Sequence, residues 1–386
     1  FSHFVITNSS FINFKMIIEI NLDDFEPNTV FRHIKIYFVE SHFVSHLIET
    51  SGGALKIISN CNHTKAKKKD QTNKEVSPRN VLALNIDIQF KNMLFKGCKS
   101  KGTSGGALSI LNVIPDSDAF LIPNITLNIK NSSFLMNTVL HNSDAGAVFI
   151  FNVHFVAMMD CIFTQNQARS GNGGAVYFSL YREEEEEFDE EEWETVGSEK
   201  LQLGTFLLIN SQFSANTAGK SGGSIYINGI NSLQVENCSF VQNNVIIGVV
   251  EEYPEVMGGS INLFRCLYVR INNSKFYMNT VLGLPSIYMH TEDGGAIKYD
   301  FGIEFIMTNT AIDKNKAGKL GGAINIGNID IFLIINCIFK HNHLKDQRRR
   351  HVFGAGAVYL NSVLIVKMKD CVFYQNKICK LCYQYS

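Results

Sequence analysis

Apolar and polar residues alternate in short segments that recur along the chain. Two and four residues after the second glycine of a Gly-Gly-Ala type of phrase the side chain is apolar in every copy, as at Val176 and Phe178. A second apolar segment follows, such as Phe206 to Ile209, and then a Phe-x-x-Asn phrase. Alternation over such short runs predicts β-strands. Since no repeat carries ten residues at helical spacing, leucine-rich and helical repeats are disfavoured.

Two phrases alternate strictly through most of the chain. The first has nine copies, ending in the aliphatic residues Leu55, Leu108, Val148, Val176, Ile225, Ile261, Ile297, Ile324 and Val358. The second is Phe-x-x-Asn, with an Ile312 variant and a degenerate copy at Phe95. Its aromatic residues are Phe134, Phe163, Phe213, Phe240, Phe276, Phe339 and Phe373, and its asparagines are Asn137, Asn166, Asn216, Asn243, Asn279, Asn315, Asn342 and Asn376. The 38 asparagines of the chain therefore have a positional cause.

A repeat of roughly 27 to 36 residues with three short strands cannot close a sheet of its own, so it must bury its apolar face on its neighbours. These features predict an all-β solenoid, a parallel β-helix of nine to ten coils. Equivalent residues would stack about 4.8 Å apart, with phenylalanine inside and asparagine in ladders at a corner. We expect one domain over 1–386, comprising irregular coils 1–91, regular coils 92–376, an acidic insertion 182–200 and a tail 377–386.

The paired phrases resemble the polymorphic outer-membrane protein repeat of bacterial autotransporter adhesins, which also occurs in large surface proteins of protists. The likeness covers about residues 92 to 376. It implies the right-handed β-helix of the pectin-lyase-like superfamily, display at the cell surface or outside the cell, and a role in adhesion. It brings no catalytic residues with it.

Charge is unevenly distributed along the chain. The 35 basic and 36 acidic residues give a net charge of -1, which does not indicate nucleic acid as a partner. Residues 183–194 hold ten acids, so the rest of the chain is basic. Contiguous glutamates lack the spaced ligands of a calcium site, and a solvated loop is favoured. Two basic runs, Lys65 to Lys69 and Arg348 to Arg350, also read as surface loops, with anionic glycans as an alternative role.

Candidate catalytic groups are scattered rather than paired. Asp144 and Asp293 precede glycine phrases four coils apart, and Asp160 and Asp370 stand where other copies have asparagine. Paired carboxylates need a much smaller separation. We therefore expect no enzyme activity, no metal and no cofactor. The alternative is a carbohydrate-active enzyme with its site in residues 1–91.

One candidate binding feature remains. Phe149, Tyr177 and Tyr226 occupy the same position on three consecutive coils, three residues after the second glycine, and predict an exposed aromatic strip. Such a strip suits a sugar ring or a protein partner, although aromatic residues also favour strands for packing reasons alone.

The cysteines do not form a disulfide framework by spacing. Four of them share one position two residues before the phenylalanine position and read as small buried residues; they are Cys161, Cys238, Cys337 and Cys371. Cys379 and Cys382 stand outside the repeat.

The leading hypothesis is a non-enzymatic cell-surface or secreted β-helix that acts in adhesion or as a structural spacer, with a glycan or a host or cell-surface protein as partner. A third hypothesis is an architectural module whose open ends stack on further coils. No apolar run approaches eighteen residues, so no spanning helix is expected, and an anchor in a longer protein is compatible with this. The sequence leaves the oligomeric state open.

Overall fold

A computed structural model describes residues 2–12, 15–21, 32–44, 47–48, 54–60, 84–101, 105–113, 124–140, 143–180, 204–246, 256–282, 292–346 and 354–380. Within these ranges every regular element is a β-strand, and the pairing of strands between coils is parallel throughout. The all-β parallel β-helix predicted from the repeats is confirmed.

The largest sheet, here called the long sheet, has sixteen strands and follows the Gly-Gly-Ala type of phrase. In the later coils its two apolar segments join into single strands of 12 residues. Its strands are Ser2–Thr7, Met16–Asn21, Arg32–Val39, Leu55–Asn60, Leu84–Lys91, Leu108–Val113, Asn124–Lys130, Val148–Phe151, Phe155–Met159, Val176–Ser179, Thr205–Ile209, Ile225–Glu236, Ile261–Asn272, Ile297–Thr308, Ile324–Ile335 and Val358–Lys369.

Two sheets of shorter strands complete each coil. The Phe sheet has eleven strands: Ser10–Ile12, His42–Val44, Leu94–Lys96, Ser133–Leu135, Ile162–Thr164, Gln212–Ser214, Ser239–Val241, Lys275–Tyr277, Ala311–Asp313, Ile338–Lys340 and Val372–Tyr374. The short sheet has ten: Leu47–Ile48, Lys99–Ser100, Thr138–Val139, Gln167–Ala168, Thr217–Ala218, Asn244–Ile246, Thr280–Leu282, Lys316–Ala317, His343–Asp346 and Lys377–Lys380. Val256–Met257 and Glu292–Asp293 form a small fourth sheet.

The eleven strands of the Phe sheet define eleven coils, one more than the upper end of the range inferred from the sequence. The additional strands come from the first 91 residues, where Phe11 and Phe43 continue the phenylalanine column although neither has an asparagine three residues after it. Phe11 stacks on Phe43, and Phe43 on Phe95, with ring centroids 4.7 and 4.9 Å apart. The aromatic column therefore begins before the first ladder asparagine, Asn137.

The interior of the helix is a column of parallel aromatic rings. The centroids of Phe134 and Phe163 are 4.8 Å apart, and those of Phe163 and Phe213 are 4.6 Å apart, with the rings nearly parallel. This spacing equals the separation of neighbouring strands, about 4.8 Å, so each ring lies directly on the next. Ile312 takes the same inward position where the column lacks a ring.

From Phe95 onward, each strand of the Phe sheet lies between two corners in the left-handed backbone conformation. The first corner is the Asn or Asp three residues before the phenylalanine, such as Asn210 at φ 49°. The second is two residues after the phenylalanine, as at Ala215, φ 53°. Asparagine and aspartate adopt this conformation more readily than other residues with a side chain, which explains their place at the first corner.

The fourth residue of Phe-x-x-Asn forms a buried ladder beside the second corner. The Asn166 Nδ2 donates to Oδ1 of Asn216 and to the carbonyl oxygen of Phe134, at 3.0 and 2.9 Å. The backbone N–H of Asn166 donates to the same Asn216 oxygen at 3.0 Å. The pattern runs from Asn137 to Asn376 through every copy between them. Each ladder side chain thus satisfies two backbone groups of the preceding coil inside an apolar core and bonds to the side chain of the next one.

Replacing a ladder asparagine is expected to destabilise the fold strongly. Asn216→Ala removes the acceptor of two Asn166 donors and the donor to Phe163, leaving buried polar groups unpaired. We expect a loss of about 3 kcal/mol in the free energy of unfolding, measured by urea denaturation. Asn210→Gly is the control, because Asn210 is exposed and glycine suits its positive φ; its effect should stay within about 0.5 kcal/mol. Equal effects of the two substitutions would contradict the ladder's role.

Candidate functional site

Two glycines form the turn in the Gly-Gly-Ala type of phrase, and each is required for a different reason. Gly173 has φ 65°, a conformation that strains any residue with a side chain. Gly174 has no room: a Cβ atom there would lie 2.1 Å from the carbonyl oxygen of Gly223 in the next coil. The coils pack here through bare backbone, so the recurring glycines hold the stack together and offer no side chain for chemistry.

Three of the four repeat thiols are buried as predicted, whereas Cys371, in the last coil, is only half-buried; all four are hydrogen-bonded to backbone. The Cys161 Sγ lies 3.2 Å from the carbonyl oxygen of Met159 and 3.5 Å from that of Ile129. Burial raises the pKa of Cys161 to about 12 and that of Cys238 to about 11. Burial also raises the pKa of Cys337, and Cys337 and Cys371 are free thiols. A nucleophilic or redox cysteine needs an accessible thiolate, which these positions oppose.

The three aromatic residues of the predicted strip lie on each other, but the strip is not an exposed platform. Phe149 stacks on Tyr177 with centroids 4.9 Å apart, and Tyr177 on Tyr226 at 5.2 Å. The two neighbouring rings cover both faces of Tyr177, whose side chain is only 3% exposed. The expectation of exposure is therefore wrong for Tyr177, while Phe149 and Tyr226 are half-buried. Ligand binding by this strip stays a prediction.

The predicted acidic positions remain apart in the structure. Asp144 accepts a hydrogen bond of 2.6 Å from the backbone N–H of Asn172, whereas Asp293 is buried at the end of the strand Glu292–Asp293. Asp160 and Asp370 occupy the left-handed corner that other coils fill with asparagine, at φ 54° and 53°. Within the described ranges no three His, Cys, Asp or Glu side chains are placed together as metal ligands.

Some sequence predictions fall outside the described residues. These are residues 182–200 of the acidic insertion, the basic runs Lys65 to Lys69 and Arg348 to Arg350, and Cys382. Cys379 is the third residue of the strand Lys377–Lys380.

The outward residues on the Phe-sheet and short-sheet side of the coil are not among those that the sequence patterns single out. The structure places the residue after each inward phenylalanine, the second corner and the first short-sheet residue side by side on this surface, as with Lys340, His341 and His343. An alignment of the repeats at these three positions would reveal the basic residues of the last coils from the sequence alone.

Comparisons with known proteins agree with the repeat. Residues 160–179 match the model of the Chlamydia polymorphic membrane protein (Chlamydia_PMP) repeat. A stretch of 185 residues, 46% of this chain, is 25% identical to the metabotropic glutamate receptor-like protein R of Dictyostelium discoideum. It covers 10% of that protein, so the chain matches about a tenth of its relative's length. No solved structure matches the chain.

The matched repeat indicates a surface or outer-membrane location, because its family model describes membrane proteins. In the part of the chain that the structure describes, no helix has the length and hydropathy needed to cross a membrane.

The buried thiols are expected to resist alkylation in the folded protein. With a pKa of about 12, roughly one Cys161 thiol in ten thousand is ionised at pH 8. Iodoacetamide followed by mass spectrometry should leave Cys161 and Cys238 unlabelled in the native chain and label both in urea. Native labelling of Cys161 at the rate seen in urea would show that this interior opens to solvent.

Proposed function

We propose that the chain is a non-enzymatic β-helical shaft of a surface protein that works in adhesion or as a structural spacer. The observation that carries this is the continuity of the interior. The aromatic column begins at Phe11 and includes Phe373, and the amide ladder runs from Asn137 to Asn376. Such an interior gives a straight support whose coils differ only on the outside.

The arrangement of reactive groups supports a role without catalysis. General acid and base chemistry needs two titratable groups poised around one substrate. The acids singled out in the sequence lie on separate coils, and burial raises the pKa of the thiols of Cys161, Cys238 and Cys337. His341 is engaged with Asp313 at 3.1 Å on the outer surface, without a third group completing a catalytic set among the described residues.

The receptor-like name of the Dictyostelium protein belongs to that protein. Because the match covers a tenth of it, receptor activity is no part of the proposal. The likeness supports a module that serves within a large surface protein, where a shaft would hold other parts away from the membrane or present a ligand surface.

End-to-end stacking of coils stays a second hypothesis from the sequence, because the edges of parallel strands pair readily with further strands.

Assays on one preparation of the full chain test the absence of catalysis. Pectin, polygalacturonate and other acidic and neutral polysaccharides should yield neither unsaturated products nor new reducing ends, because the acids Asp144, Asp160, Asp293 and Asp370 of the described ranges lie on separate coils. The same preparation is expected to bind a glycan or a cell-surface protein on an array if it acts in adhesion, and none if it is a spacer. Turnover that disappears in Asp144→Asn or Asp293→Asn would overturn the proposal.

A further inference from the structure

A strip of positive charge lies on one side of the last three coils. Three outward positions per coil make up this side: the residue after the inward phenylalanine position, the second corner and the first residue of the short-sheet strand. In four earlier coils these positions are uncharged; they are Leu135, Met136, Thr138, Thr164, Gln165, Gln167, Ser214, Ala215, Thr217, Val241, Gln242 and Asn244. In the last three coils, six of nine are basic. We call these six, Lys314, Lys316, Lys340, His341, His343 and Lys377, the basic corner.

The strand register aligns the charges of the basic corner along the helix axis. Lys316 pairs with His343, and His343 with Lys377, in the parallel short sheet. Neighbouring strands lie about 4.8 Å apart, so Lys316 and Lys377 are about 10 Å apart along the axis, with His343 between them.

The one acid among these nine outward positions, Asp313, contacts His341 at 3.1 Å. Among the side chains that the structure describes, no carboxylate lies within ion-pair distance of Lys316 or Lys377. The pKa of His343 is lowered, first by burial and then by the charges of Lys377, Lys316 and His341. The lysines therefore carry the charge of the basic corner at neutral pH.

Aromatic rings flank the basic corner. The Lys275 and Lys314 ammonium groups lie 4.9 and 5.3 Å from the ring centroid of Tyr277, and Lys314 donates to the Tyr277 hydroxyl at 3.2 Å. Tyr374, 52% exposed, meets His341 edge-on one coil further along. Rings beside ammonium groups suit a ligand that has both an apolar sugar face and anionic substituents.

We infer that the basic corner binds a sulfated or carboxylated polysaccharide that lies along the helix axis, with its anionic groups on Lys316, Lys340 and Lys377. These lysines place one ammonium group on each of the last three coils, and this arrangement fits a polymer with regularly spaced anions better than a single small anion. The inference rests on the adhesive form of the proposed function and names its ligand class. Nucleic acid, the other linear polyanion, fits a surface location less well and is an outcome of the test.

Heparin oligosaccharides of defined length are the probe, applied to the full chain at about 150 mM salt, where diffuse charge attraction is screened beyond about 8 Å. The test variant is Lys316→Gln with Lys377→Gln. The control is Lys96→Gln with Lys99→Gln, which removes the same charge from equivalent outward positions of an earlier coil, where both lysines are exposed. We expect the test variant to bind about tenfold more weakly and the control to stay within about twofold of the unchanged chain.

Thermal unfolding separates loss of the site from loss of the fold. Removing like charges should leave the test variant melting no lower than the unchanged chain without heparin. Heparin should then raise the melting temperature of the unchanged chain and the control, but not that of the test variant. If both variants weakened heparin binding equally, the affinity would depend on overall charge rather than on the basic corner, and the inference would be overturned. Absence of heparin binding would also overturn it.

Two further measurements distinguish failure of the glycan inference from failure of the non-enzymatic function. Single-stranded DNA of the same number of charges should bind more weakly than heparin; tighter binding with the same variant dependence would assign the surface to nucleic acid and overturn the glycan inference. The heparin recovered after incubation should keep its length. Shortened heparin would overturn the non-enzymatic function, whereas intact heparin that does not bind overturns the inference alone.

Discussion

Hydrogen bonds between buried asparagine side chains of successive coils are the interaction on which the rest of the structure depends. A chain that turns twice around each Phe-sheet strand brings backbone donors and acceptors into an apolar core, where unpaired groups are costly. Asn216 illustrates the solution, because its amide accepts from the coil before it and donates to the coil after it. Since this requires one asparagine at a fixed place per coil, the turn beside it has a constant length. Insertions then collect elsewhere, as between Ser179 and Thr205.

An interior made of repeated ladders leaves variation to the surface. Glycine at the turns and phenylalanine in the interior have the same structural role in most coils. Most differences between coils therefore lie in outward side chains. The contrast between the uncharged middle coils and the basic corner is such a difference. On our inference, the basic corner is the place where the repeated coils carry a binding site for an anionic polysaccharide.

Much of the fold could be predicted from the sequence, because inward positions are strongly constrained. Phe163 and Asn166 recur at constant phase since neither aromatic stacking nor the amide ladder tolerates displacement by one residue. The left-handed corners at Met136 and Ala215 could not be predicted, because their residues have no preference for that conformation and are held there by the ladder beside them. The burial of Tyr177 was missed because an outward position is exposed only until neighbouring rings cover it. The basic corner depends on register between coils, which appears in the sequence only once outward phases are compared.

Hydrogen exchange at the ladder tests the central claim most directly. The backbone N–H groups of Asn166, Asn216 and Asn243 donate to side-chain oxygens of the next coil and belong to no strand ladder. Their exchange, followed together with that of their Nδ2 protons by NMR in the full chain, should be as slow as that of the core strands, because exchange requires separating two coils. Exchange at the rate of exposed turn residues would contradict the account, since the coils would then be held together without the asparagine ladder.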